Sequence, residues 1–427
     1  MTRIGLLGGA FTFLVCVLLV PLSLGAQAGE RILIRDVTVI DGTGTAGRGG
    51  LDVLINGGVI ESVQATSSDT LFDGRVINAT GRYLIPGIVD SHTHLSGATR
   101  AEVQILLKWI VQGGVTSIRD MAGDARDLAG IKRALILGEL TGPSIYYSAL
   151  MAGPAFMSDP RLAEATAGYE QGESPYMVPL TAETDLVRAM AMAKGTGASG
   201  VKLYAALDAS LVRAATEEAH RVGLQVWAHS AIFPAKPVEI LDAGVDGVSH
   251  APYVIWEAEP VSDDFGKRGR GDFARVSASG DEMDRVIDAM VRNGTVLDPT
   301  LLIFQRNDAE DGTPLRLGWG AEFTRRAHAA GVTIAAGTDV VGEPLAGELP
   351  AVHDEMAVLV DVVGLTPLQA LTAGTLAGAR AIGIEETVGS IGPGKAADLV
   401  LLSADPSVDI RNTRKIVHVI QGGRLVR

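Results

Sequence analysis

The sequence predicts an α/β protein: a (β/α)8 TIM barrel with a small β-sandwich domain built from both chain ends. Three observations predict it. Apolar runs alternate with helical patterns through the middle of the chain, as βα units around a parallel sheet do. Eight such runs fall between residues 86 and 386, and eight is the number that closes a barrel. The turn-rich, alternating texture of residues 29–85 returns only in 387–427, and neither piece is long enough for a stable sheet by itself.

The first 28 residues stand apart from this plan. Arg3 precedes the apolar stretch Ile4 to Val20, Pro21 closes it, and Ala26-Gln27-Ala28 offers small residues for cleavage. The order is that of a signal peptide, so the mature chain is expected to be exported, periplasmic or extracellular. The run falls short of the roughly 20 residues a span needs, so no stable membrane anchor is expected after cleavage. Cys16, the single cysteine, lies inside it. The mature chain then has no disulfide and no thiol to act as nucleophile or ligand. Of 427 residues, 47% are hydrophobic and 20% charged, which excludes disorder. With 36 basic against 50 acidic residues and a net charge of −14, nucleic acid and anionic membranes are excluded as partners.

In 29–85 the alternating run Ile32 to Ile40 leads through Asp41-Gly42 to Leu51–Ile55, then Asn56-Gly57-Gly58, then Val59–Val63. Asn-Gly between such runs predicts a hairpin. Asp398–Leu402 and Ile416–Arg424 carry the same texture at the far end and are expected to pair with it.

The barrel strands are expected at Ile88–Asp90, Val115–Arg119, Ile145–Ser148, Gly200–Leu203, Val226–Ala228, Gly247–Ser249, Val296–Asp298 and Thr333–Ala336. Helical patterns cover Ala101–Val111, Glu183–Lys194, Ala209–Val222, Glu282–Arg292, Phe323–Ala330 and Leu368–Ala381. Met151–Thr181 and Val254–Gly280 are too long for routine connections, and long loops in a compact barrel serve as lids or binding loops.

Of the eight histidines, His220 and His328 fall in helical stretches and His418 in the terminal β segment, where a structural or solvated role is expected. His353 and Glu355, beyond the last strand, read as helix packing or surface. His92, His94, His229 and His250 end apolar strand runs, and the C-terminal strand ends are where barrels assemble chemistry. His92 and His94, two apart, share one face of their strand. Asp339 ends the eighth run and Lys202 the fourth. A bare ammonium facing four histidines is electrostatically poor, but a lysine neutralised by carbon dioxide to a carbamate offers two oxygens that can bridge two metals. Tyr204 shares the strand face of Lys202 and is a candidate substrate-binding residue. Arg119 and Asp120 read as a buried ion pair. Lys267, Arg268 and Arg270 read as a solvated charge run.

Pro86-Gly-Ile-Val-Asp-Ser-His-Thr-His94 resembles the first-strand motif of the metal-dependent amidohydrolase superfamily, and Gly337-Thr-Asp339 its last-strand motif. Gly389-Ser-Ile-Gly-Pro-Gly-Lys-Ala-Ala-Asp-Leu-Val400 resembles the segment leading back into its β domain. Lys202, Gly113-Gly-Val-Thr-Ser-Ile-Arg-Asp120 and Gly364-Leu-Thr-Pro-Leu-Gln-Ala-Leu371 look most like the imidazolonepropionase-like, prolidase-like branch, which includes binuclear Xaa-Pro and Xaa-basic dipeptidases. The resemblance implies two divalent metal ions, zinc by preference. His92, His94 and Asp339 would hold one and His229 and His250 the other, with N6-carboxylated Lys202 and a hydroxide bridging them. Asp339 would be the catalytic proton shuttle, pure metal ligation being its alternative.

The expected function is therefore hydrolysis of an amide or dipeptide-like bond in a small-molecule substrate. Hydrolysis of an ester, lactone, carbamate or phosphoester on the same metals is one alternative, and a catalytically silent secreted binding protein is another. Dipeptidases of this branch often carry a tyrosine shortly after the fifth-strand histidine, where it helps hold the substrate carboxylate. Here the chain runs His229-Ser-Ala-Ile-Phe-Pro234. Nothing matches a deaminase's catalytic glutamate. Monomer and homo-oligomer both stay open.

Overall fold

The computed structural model describes residues 30–67, 72–95, 100–262, 264–311, 315–340 and 347–427. The expected signal, residues 1–28, lies outside the described residues.

The two chain ends meet in one eight-stranded sheet. Leu399–Leu402 runs antiparallel to Tyr83–Pro86, with Leu399 opposite Pro86, and this pairing joins the far end to the near one. The inward residues of the strands, among them Ile34, Val53, Leu84, Leu401 and Ile420, form a hydrophobic cluster of their own. The expected hairpin forms between Arg48–Asn56 and Val59–Ala65, with Gly57 at φ 60° and Gly58 at φ 89°, values that two L side chains would rarely take together.

The second sheet is parallel. Its strands run Ile88–Thr93, Val115–Asp120, Ser144–Ala152, Gly200–Leu203, Gln225–His229, Gly247–Ser249 and Val296–Asp298, each paired with the next. The expected eighth strand, Thr333–Ala336, is not a continuous one: only Ile334 bridges to Leu297. The chain passes its hydrogen bonds from the seventh strand to the first within a few residues. Ala335 N–H donates to Leu297 O at 2.9 Å, Ser91 N–H to Ala336 O at 3.0 Å, and Asp339 N–H to His92 O at 2.9 Å. A segment shared between two neighbours closes the barrel without building a ladder on either, and it delivers Asp339 beside His92.

One expected helix, Leu368–Ala381, is two: Pro367–Ala373 and Leu376–Ile382. The break serves the barrel, because Gly374 O accepts a hydrogen bond from Val89 N–H of the first strand at 2.8 Å. Met177–Pro179, inside the first long loop, adds an unexpected strand to Ser144–Ala152. Helices Ala125–Ile136, Leu301–Asp311 and Val352–Asp361 have no counterpart among the expected ones.

Candidate active site

The strand ends converge on a cavity of about 380 Å³ whose lining includes His94, Lys202, Tyr204, His229, His250 and Asp339. His92 lies beneath, fully buried, while the His94 side chain is 38% exposed. The four imidazoles follow one another ring to ring: His94 to His92 at 5.4 Å, His92 to His250 at 5.0 Å, His250 to His229 at 4.6 Å. Asp339 Oδ1 lies 2.9 Å from His94 Nε2 and 3.2 Å from His92 Nε2, and its Oδ2 lies 4.0 Å from His250 Nδ1. Lys202 Nζ sits 5.1 Å from the Tyr204 ring centre and 3.4 Å from Met121 O. Three side chains of this set, His92, His94 and Asp339, offer donor atoms all within 4.8 Å of one another.

Three of the four histidines, His92, His229 and His250, have one ring nitrogen held from behind, which turns the other toward the site. A carboxylate only accepts, so the 2.9 Å contact of His92 Nδ1 with Asp298 Oδ2 puts the proton on Nδ1. Nε2 is the nitrogen that faces the site, buried with no well-formed hydrogen bond and 3.2 Å from Asp339 Oδ1. His229 Nδ1 likewise donates to a carbonyl, Ala231 O, at 2.8 Å. His250 Nδ1 meets Thr300 Oγ1 at 2.8 Å. Such outer partners fix ring orientation and tautomer in metal sites.

The backbone is held in unusual conformations at the same place. His250, Thr300 and Asp339 have φ of 74°, 48° and 57°, the left-handed region that costs a non-glycine residue about 1–3 kcal/mol. Gly337 is needed for a different reason: a Cβ there would lie 2.3 Å from Asp298 Oδ1.

Electrostatics divide the set. Burial works against a charged His92, yet Asp339 and Asp298 outweigh it and hold its pKa above the usual histidine value. Burial likewise opposes ionisation of Asp339, but His92 and His94 keep its carboxyl well below the usual range. His229 and His250 are driven well below the usual histidine value by burial, with the neighbouring charges of Lys202 and Arg268 adding to the effect. Burial also draws Lys202 down to about 8, against the pull of Asp339. A lysine so placed has an appreciable neutral fraction near neutral pH, the form that carbamate formation requires.

Several residues stand elsewhere than the sequence suggested. Arg119 and Asp120 do not pair with each other. Arg119 contacts Asp298 Oδ2 at 3.3 Å, donates to Ala381 O at 2.7 Å and lies 4.7 Å from the Trp227 ring centre. Asp120 accepts from Leu95 N–H at 2.6 Å and Gly123 N–H at 2.7 Å. Neighbours on a strand point to opposite faces, so each meets different partners. Arg268, expected in solvent, lines the cavity with Arg161. His353 and Glu355, by contrast, stand as expected, packed in their helix away from the cavity: His353 bridges Thr413 Oγ1 and Gly113 O, each at 2.9 Å, and Glu355 accepts from Leu301 and Leu302 N–H. Asp298 escaped sequence reasoning, though it ends the seventh strand as His229 ends the fifth. Tyr253, stacked on His229 at 5.2 Å, escaped it too.

The sequence model of the amidohydrolase family matches residues 83–426. Imidazolonepropionase of Symbiobacterium thermophilum is 28% identical over 440 residues, covering 96% of this chain and 95% of that enzyme. A Xaa-Pro dipeptidase solved with methionine in its active site superposes with a TM-score of 0.74 at 20% identity, covering 93% of this chain and 99% of that one. Ochratoxinase from A. niger superposes at 0.73 and 20% identity, covering 94% and 96%. The structural likenesses, at that identity, establish the fold.

Proposed function

The chain belongs to the amidohydrolase family and is a hydrolase acting on carbon–nitrogen bonds, and from that premise we propose that it is an exported binuclear enzyme cleaving an amide or dipeptide-like bond in a small substrate. The observation that carries the reading is the convergence of His94, Lys202, His229, His250 and Asp339 on one cavity, with the buried Nε2 of His92 beneath it, 3.2 Å from Asp339 Oδ1. Imidazole nitrogens and carboxylate oxygens without a thiolate suit zinc. His92, His94 and Asp339 would hold one ion, His229 and His250 the other, and Lys202 as its carbamate would lie between them. Bound there, the metal pair supplies Lewis acidity for the scissile carbonyl and makes water acidic enough to attack near neutral pH.

The chain's own groups do the rest. Asp339 takes a proton from the attacking water on a carboxylate oxygen and passes it to the leaving nitrogen, so that water and amide become carboxylic acid and amine. His94 and His92, within 3.2 Å of Asp339 Oδ1, fix that oxygen. Tyr204, 5.1 Å from the His229 ring, walls the substrate side. Zinc-loaded protein should carry two equivalents of metal and turn over members of a panel of acylated amino acids and dipeptides. Metal binding without turnover of any amide would defeat the reading. Export rests on the order of Arg3, the apolar run and Ala26-Gln27-Ala28. Mass spectrometry of the protein from its host should find a mature chain beginning near Gly29.

A further inference from the structure

The walls of the cavity beyond the metal-site residues carry a charge pattern opposed to that of the whole molecule. The chain has a net charge of −14, yet among the described residues these walls carry two cations, Arg161 and Arg268, and no carboxylate. Lys202 and Asp339 are committed to the site already described. Arg161 is matched outside it, since Asp159 accepts from its Nε at 2.9 Å and from its Nη2 at 2.7 Å. What is left of Arg161 is an Nη1 reaching Tyr204 Oη at 3.5 Å.

Arg268 is different. Among the described residues no carboxylate pairs with it, its Nε is buried without a hydrogen-bond partner, and its one side-chain bond is from Nη1 to Phe265 O at 3.3 Å. A guanidinium in that condition is costly unless something else satisfies it. The chain nevertheless holds it firmly. Trp256 Nε1 donates to Arg268 O at 2.7 Å, and the guanidinium lies 4.5 Å from the Phe265 ring centre. Phe265 in turn packs on Phe156 of the other long loop at 6.0 Å and on Tyr204 at 5.0 Å. The two long loops thus meet over the cavity and present, from an aromatic wall, a cation that forms no ion pair among the described residues, though its charge also acts on the Asp159 carboxyl. The segment after the fifth strand offers no charged alternative: Ser230 spends its hydroxyl on His250 O at 2.7 Å, and Ala231, Ile232 and Phe233 are buried and apolar.

We propose that Arg268 is an anion-binding residue of this cavity, and that the amide hydrolysed here carries a free carboxylate beside an apolar or aromatic group, as an N-acyl amino acid does. The inference rests on the amide-hydrolase reading of the same site. A carboxylate matches the guanidinium fork in charge and geometry, the aromatic wall takes the apolar group, and a volume of about 380 Å³ suits a molecule of that size.

The test uses metal-loaded protein and N-benzenesulfonyl derivatives of L-alanine, L-leucine and L-phenylalanine, each as the free acid and as its carboxamide. The sulfonamide stands where the amide would be and is not cleaved, so calorimetry reads binding alone. The acid should bind about 10- to 100-fold more tightly than its carboxamide, the scale of a desolvated charge pair. Arg268→Ala should bring the two within about 3-fold, and Arg268→Lys, which keeps the charge but not the fork, should fall between. Metal content, read by elemental analysis, should not change in either variant. Equal binding of acid and carboxamide, or binding of neither, overturns the proposal. So does a preference that survives Arg268→Ala, which would put the carboxylate on the metals. Turnover of neutral amides by a protein indifferent to the carboxylate would retain the hydrolase and refute the anion site.

Discussion

On the side of the first and seventh barrel strands, His92 leans on a carboxylate: Asp298, itself contacted by Arg119 at 3.3 Å and by Ser249 Oγ at 3.2 Å. On the side of the fifth and sixth strands, His229 and His250 lean on a carbonyl and a hydroxyl. The first arrangement keeps an imidazole basic in a buried place, and the second lets burial drive two imidazoles neutral. A charged outer partner makes its histidine a stronger donor to a cation, while a dipole only aims it. The site is thus asymmetric before any ion arrives, with Asp339, the proposed proton-handling group, on the charged side.

The largest effect tests that placement. Asp339→Asn keeps an oxygen ligand but cannot accept a proton at neutral pH. It should lower kcat by about 10²–10⁴ while retaining much of the metal. Full activity, measured at matched metal content, would remove Asp339 from the proton path. The next effect tests whether the two sides need a bridge. Lys202→Ala should bind at most one ion tightly and be nearly inactive, and added short carboxylic acids should partly restore both properties. His220→Ala is the control. His220 pairs with Asp246 at 2.9 Å outside the cavity, and its loss should leave two ions bound. Two tightly held ions and normal turnover in Lys202→Ala would end the bridging role.

A smaller effect separates the charged side from the dipolar one. Asp298→Asn removes the charge behind His92 while keeping the shape, and metal affinity should fall by about 10- to 100-fold, the usual cost of losing such a partner. Titration against a competing chelator reads it. An unchanged affinity would mean that Asp298 serves only the Arg119 contact.

What the sequence discloses of this site follows the backbone's regularity. His92, His229, His250, Lys202 and Asp339 end apolar runs whose short period is visible in the residues themselves, so their convergence is legible from the order of the amino acids alone. Asp298 carries the same signal, since it closes the expected run Val296–Asp298, but an aspartate at a strand end also reads as a turn residue. Arg268 has no such signal. It lies on a loop without periodicity, and its place on the cavity depends on Trp256 and Phe265, contacts that no spacing encodes. The barrel shows the same limit. Its seven regular strands are legible, whereas the closing segment at 333–336 is shaped by two neighbours at once, and the helix after Pro367 breaks at Gly374 for a bond to Val89.

The smallest effect sharpens the comparison from the dipolar side. Thr300→Val is close in volume and removes only the hydroxyl that His250 Nδ1 meets at 2.8 Å. A neutral hydrogen bond contributes about 1 kcal/mol, so affinity for the ion on this side should drop by roughly 5-fold, well short of the Asp298→Asn effect. Two controls keep the result interpretable. Thr300 sits at φ 48°, where a β-branched residue is already strained, so thermal unfolding must show that valine leaves the fold intact. Thr300→Ser keeps the hydroxyl and should restore wild-type affinity. If Thr300→Val weakened metal binding as much as Asp298→Asn does, the charge behind His92 would have no special weight. The asymmetry of the site would then lie in Asp339 alone.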